Sequence, residues 1–284
     1  RNIFKVSAIT TALVLAGCGG DININEGDEV VTTPTTPTTP TTPTTPTTPD
    51  VDTPFSLGFA TDVSSEFSGT ITDKPVYRLD TDLTITQDMT LTNDAHWIIK
   101  GRTAVGNDNA DAAVLTIQEG TTVIGEDGDD FLVVRRGSQI DASGTSSAPI
   151  VMTSVQDVTG EETSIGQWGG VVLLGNAPTN LCNTGDDADT SDEELANCGV
   201  SAEGDAGLYG GNNPEDNSGT LEYVVVKHAG KALASGDELN GISFAGIGSG
   251  TTVNYIQVHQ NLDDGIEFFG GTVNVSNVVL TDIG

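Results

Sequence analysis

His259 and the adjacent pair Asp263-Asp264 are the residues of this chain best suited by type to move protons. Two carboxyls beside an imidazole can divide general acid and general base work, and inverting glycoside cleavage asks for carboxyls about 6.5–9.5 Å apart. Asp263-Asp264-Gly265 is equally a common turn between strands, and no residue is assigned a catalytic role. Two acidic clusters offer hard oxygen ligands of the kind calcium takes. One is Asp127, Asp129 and Asp130 beside Glu126; the other is Asp186, Asp187 and Asp189 with Asp192, Glu193 and Glu194. Neither fits an EF-hand loop, with its Gly at position six and Glu at twelve, and solvated acidic turns account for both. No cofactor motif is present, and calcium is the candidate ion. His96 and His228 have no partner identifiable in the sequence, and no Gly-x-Ser-x-Gly elbow marks a nucleophilic serine. Trp168, set between Gln167 and Gly169-Gly170, is expected to pack against a corner rather than to stack on a sugar.

Charge narrows the partners. The chain has 284 residues, with 41 Asp and Glu against 10 Lys and Arg, a net charge of −31. Such a chain repels phosphate, which excludes nucleic acid as a partner and disfavours anionic lipid headgroups. Its 35 glycines oppose a helical bundle, while recurrent Val, Ile and Leu runs oppose wholesale disorder.

The first residues look like an address. Arg1 and Lys5 precede an apolar run to Gly17 that is short for a membrane span of ~20 residues. Residues 1–17 therefore resemble a secretory signal peptide. Leu15-Ala16-Gly17-Cys18 resembles the lipobox of bacterial lipoproteins, which implies cleavage before Cys18, lipidation of its thiol and stable membrane anchoring. Gly19, where many inner-membrane lipoproteins carry Asp, favours the outer membrane or cell surface. Residues 18–50 form a stalk: Thr-Thr-Pro repeats six times from Thr32 to Pro49. Pro at every third position blocks helix and central strand and favours a disordered, polyproline-like spacer of roughly 55 Å when extended. Outside the cytoplasm, Cys182 and Cys198 are expected to form a disulfide that closes an acidic loop.

From residue 51 to residue 284 the text is all-β. Short strands such as Val114–Ile117, Phe131–Val134 and Val171–Leu174 alternate with Gly, Asn, Asp and Ser clusters, and only 191–196 has room for a helical turn. The tail repeats itself: 221–228 aligns with 253–260 at an offset of 32, and 253–260 with 273–280 at an offset of 20. Gly241-Ile242-Ser243-Phe244 aligns with Gly265-Ile266-Glu267-Phe268 at an offset of 24. A repeat of this length suits a coil of a parallel β-helix. About nine coils are expected, behind an N-terminal cap made by 55–97, and Gly284 falls amid strand-like text, so further coils are expected beyond it.

Leu115-Thr116-Ile117-Gln118-Glu119-Gly120, then Val133–Thr145, Ala148–Ser154 and Gln167–Ala177, are similar in order to the entry coils of bacterial surface proteins with a pectin-lyase-like fold. The resemblance runs from about Leu79 to Gly284. It implies a right-handed parallel β-helix solenoid and leaves activity open, because that fold hosts lyases, hydrolases, adhesins and spacers alike. Gly128-Asp129-Asp130-Phe131-Leu132 resembles one copy of a calcium-binding nonapeptide, a site that needs stacked copies. β-helical polygalacturonases carry Gly-His-Gly and Arg-Ile-Lys motifs, and both are missing here. Pectate lyases use an arginine base and calcium-binding aspartates, but Arg78, Arg102, Arg135 and Arg136 match no such motif. The leading expectation is a lipid-anchored, structural or adhesive surface protein that meets polysaccharide, a protein partner or divalent ions. A polysaccharide lyase or hydrolase is the alternative.

Overall fold

The computed structural model describes residues 52–182, 192–234 and 237–284. The signal segment, Cys18, the Thr-Thr-Pro stretch and Asp186, Asp187 and Asp189 lie outside the described residues.

Three parallel sheets wind around one core. Sheet 1 stacks Met89–Leu91, Val114–Ile117 and Gln139–Ser143 on 219–222, 252–254 and 274–276. Sheet 2 stacks Val76–Leu79, His96–Ile99, Thr122–Gly125 and Ile150–Ser154 on 224–227, 256–259 and 278–283. Sheet 3 stacks Thr84–Ile85, Arg102–Val105, Phe131–Val134, Gly170–Leu174, Ile242–Ala245 and Ile266–Phe269. The fold is a parallel β-helix.

Inward residues make ladders. Trp97, Val123, Met152, Val226 and Val258 stack in sheet 2, and Val134, Leu173, Phe244 and Phe268 in sheet 3. All of these except Phe268 of the last rung lie in one continuous apolar core. Burial of this kind contributes about 1.5–3 kcal/mol for each large side chain.

Three expectations are corrected. Sheet 2 has seven rungs, not nine, so the described stack rises only about 30 Å at the usual strand spacing. Coiling begins at Val76 rather than at Leu115, so the cap is shorter than 55–97. It consists of Ala60–Asp62, which pairs antiparallel with Val76–Leu79, and the turn of helix Ser64–Phe67. Lastly, Val253 pairs with Val275, an offset of 22 instead of 20. A slip of two keeps every apolar residue on the same face, so hydrophobic pattern alone cannot see it. Left-handed corners decide the register: Tyr223, Tyr255 and Asn277 have φ of 49°, 53° and 54°. The offset of 24 in sheet 3 is the observed one.

Two excursions cover the outside. After Ser154, α1 (Val155–Thr159) starts with the Ser154 side chain accepting from the Asp157 amide and ends at left-handed Gly160. Its Val155 and Val158, with Val63, Phe67 and Ile71 of the cap, cover Val76, Ile98 and Ile124 on the outer face of sheet 2. Described residues of the excursion 175–218 cover sheet 3. Among them, Val200, Ala202, Ala206 and Tyr209 pack over outward Ala104, Phe131, Val133, Val172 and Leu174. The chain re-enters the stack at Gly219 (φ 107°), where a Cβ would meet the Ile140 carbonyl oxygen.

Candidate functional site

Cys182 and Cys198 are joined in a disulfide, with Cα atoms 5.7 Å apart, inside the segment that covers sheet 3. α2 (Asp192–Ala196) lies between them. Arginines from the coils clamp this lid. Buried Arg136 makes a two-pronged pair with Asp108 (2.5 and 2.8 Å) and donates to the carbonyl oxygens of Cys198 (2.7 Å) and Gly210 (2.9 Å). Arg102 donates to the Asp205 carbonyl (2.5 Å) and Arg135 to that of Ala206 (3.4 Å). Arg78 bridges Glu66 of the cap (2.8 Å) and Glu126 (2.5 Å). All four arginines of the body are thus engaged in holding covers in place.

The first acidic cluster is engaged as well. Buried Asp130 accepts from the amides of Gly101 (2.6 Å), Glu126 (2.8 Å) and Asp127 (3.0 Å). Burial pushes its carboxyl above the ordinary value, against the pull of those amides and of Lys100. Lys100 bonds Asp127 at 2.6 Å, and the Asp129 amide takes the other Asp127 oxygen at 3.0 Å. Protein donors thus meet the carboxylates of Asp127 and Asp130. Among the described residues, no three His, Cys, Asp or Glu side chains are placed to share a metal.

The structure gives His259 and the adjacent acids different partners. Buried Asn261 donates to the main-chain carbonyls of Asp263 (3.0 Å) and Asp264 (2.8 Å), which fixes them in the turn from sheet 2 to sheet 3. Their charges act on Glu267 of sheet 3, whose carboxyl burial pushes up. His259 instead meets Thr281 (2.8 Å) and, at 3.7 Å, Asp282 of the next rung.

His259 does have a neighbour that sequence reading left without partners. His228 is only 4% exposed, and its ring meets that of His259 edge-on, 6.1 Å between centroids. Asp157 of α1 lies 3.7 Å from His228 Nε2, is paired with Lys227 and accepts from Thr153 at 2.7 Å. Burial lowers the His228 pKa from its ordinary value; Lys227 and His259 act the same way and Asp157 opposes them. Asp157 is held below the usual carboxylate range because Lys227, Thr153 and His228 outweigh its burial. The signal for this cluster lay in the register: Thr153, Lys227, His259 and Thr281 share one outward column of sheet 2, but α1, which brings Asp157, follows no repeat. His96 also has a partner, Asp73 at 3.1 Å. Trp168 packs as expected, fully buried, with Nε1 donating to the Lys227 carbonyl at 2.7 Å.

One lateral side stays open. Sheet 1 turns Thr90, Thr116, Asp141, Thr220, Thr252 and Asn274 outward in one column. A cleft of about 260 Å³ lies along it, lined by Gln139, Asp141, Asn217, Thr220 and Thr252 among others. Around the corner, the lower rungs of sheet 2 present Tyr223, Val225 and Lys227, then Tyr255, Gln257 and His259. Alternate residues of a strand share a face about 6.6 Å apart, so these two rows form one continuous surface.

Comparison with curated proteins and with solved structures found no match. A family model described as a pectate-lyase like beta helix domain matches residues 83–284, from the first strand of sheet 3 to the last rung. The chain belongs to the pectate-lyase-like β-helix domain family.

Proposed function

We propose that this chain is a lipid-anchored protein of the bacterial outer membrane or cell surface whose β-helix holds polysaccharide, or a surface protein, without cleaving it. The observation that carries the reading is the division of the outer surface. Arginines lock a lid over sheet 3, whereas the open side of sheet 1 is a column of hydroxyl, amide and carboxylate groups with a cleft along it. Hydroxyl and amide rows suit reversible recognition of a sugar chain better than bond cleavage. The lipobox at Leu15–Cys18 and the Thr-Thr-Pro stalk support presentation away from a membrane. Calcium is the candidate ion of this reading, with Asp127, Asp129, Asp130, Asp186, Asp187 and Asp189 as its candidate ligands. A melting temperature unmoved by EDTA removes that ion from the account.

The test is a glycan array probed with the full chain and scored for retention and for released product. Retention without product is the expected result. Loss of lipid labelling in Cys18→Ser checks the anchor. A second reading, a polysaccharide lyase or hydrolase, is favoured by buried His228, set beside both Asp157 and His259. Released oligosaccharide, abolished in His228→Gln, would establish it and end the first.

A further inference from the structure

Building on the sugar-holding reading, we infer that the corner between sheets 1 and 2 is a subsite for a neutral saccharide, with Tyr255 as its platform. Left-handed backbone suits Gly or Asn, and a bulky side chain there is strained. Asn277 takes this corner in the last rung, yet Tyr223 and Tyr255 take it in the two rungs before. Their rings stack 4.4 Å apart and 6° from parallel, and Tyr255 remains 42% exposed.

The stacked rings form one wall of a cleft of about 360 Å³. Its other lining comes from Ser146 and Pro149, the aliphatic Val225 and Val279, and the amides Gln257 and Asn277. That volume is within the usual range for small-molecule sites. Apolar lining interspersed with amides and hydroxyls complements a sugar ring, whose faces are C–H and whose edge is hydroxyl; tyrosine offers the same pairing of apolar body and polar tip. No charged side chain lines the cleft, and the chain around it carries −31. A uronate would enter without a cation to meet it and against the field of the whole protein. The occupant is therefore a neutral hexose segment.

The experiment is calorimetric titration of the full chain with cellohexaose, laminarihexaose and mannohexaose, and with hexagalacturonate as the charged comparator. The key variant is Tyr255→Asn, because Asn277 demonstrates that this corner accepts asparagine. The expected result is binding of at least one neutral hexamer, none of hexagalacturonate, and about tenfold weaker binding in Tyr255→Asn with its urea midpoint kept or raised. Equal binding by wild type and variant overturns the subsite and leaves the broader reading standing; no hexamer bound by wild type overturns both. A clear fall in the urea midpoint of Tyr255→Asn with binding kept makes the tyrosine stack purely structural. A wild-type dimer in sedimentation that Tyr255→Asn renders monomeric assigns the cleft to a second copy. Either result overturns the inference.

Discussion

The two sides of this β-helix solve opposite problems. Under the lid, Phe131-Leu132-Val133-Val134 and Gly170–Leu174 are buried at every position. On the open side, Gln139–Ser143 alternates, with Ile140 and Ala142 inside and Asp141 and Ser143 exposed. A strand that is apolar on both faces must be covered twice, once by the core and once by something brought over the top. An alternating strand needs only the core. The lid is therefore a requirement of the strands beneath it, and the open face is where chemistry with a partner is left possible.

This contrast can be broken by substitution. Phe131 points outward yet is nearly inaccessible, so Phe131→Ala is expected to destabilise by about 3–5 kcal/mol, like a core truncation. Urea unfolding would show it, and a loss below about 1 kcal/mol would mean that the lid does not seal sheet 3. Next in size is the disulfide. Cys182→Ser with Cys198→Ser is expected to lower stability by about 3 kcal/mol in the loop-entropy account, again by urea unfolding, with no loss of retention on the open side.

A smaller effect depends on pH. The His228 pKa is lowered in the folded protein by burial, with Lys227 and His259 adding to it and Asp157 opposing. Below the ordinary imidazole value near 6.5, the unfolded chain takes up a proton that the folded chain refuses. The contribution is then fully present above that value and is lost as pH falls through the folded pKa. Urea midpoints from pH 8 to 5 should drop more steeply for wild type than for His228→Gln; parallel curves would remove the buried imidazole from the account. At the bottom of the scale stands Thr220→Ala on the open column, expected to change stability by less than about 0.5 kcal/mol. A loss comparable to that of Phe131→Ala would erase the difference between the two sides.

Much of the frame could be read from residues alone. Strands at 114–117, 131–134 and 171–174, the disulfide, the helical turn near 192 and the parallel coil all follow from local composition and spacing, whereas the helix Val155–Thr159 was not expected. Register in the last rung did not, since aliphatic alternation repeats every two residues while the corner that settles it rests on backbone dihedrals at Tyr255 and Asn277. The site was less legible. His259 and Asp263-Asp264 are four and five residues apart in sequence, yet buried Asn261 holds the main chain of the acids in a turn and their charge acts on Glu267. Asp157 and His228 meet across 71 positions because a non-repeating helix folds back over sheet 2. Nor did any motif mark the arginine clamps on the lid, whose acceptors include the main-chain carbonyls of Cys198, Asp205, Ala206 and Gly210, which carry no side-chain signature.

The excursion 175–218 also bears on how the molecule assembles. A solenoid grows by laying each rung on the one before it, but the rung after Leu174 cannot arrive until this long segment has found its way round. Waiting for so distant a contact slows folding more than it weakens the product. Assembly is therefore expected to pause with the upper rungs formed and the lower ones unplaced, and oxidation of two thiols in the intervening stretch shortens the search. The crosslink is in that sense a timer, and the redox state of the compartment sets how long a half-built stack stays open to aggregation.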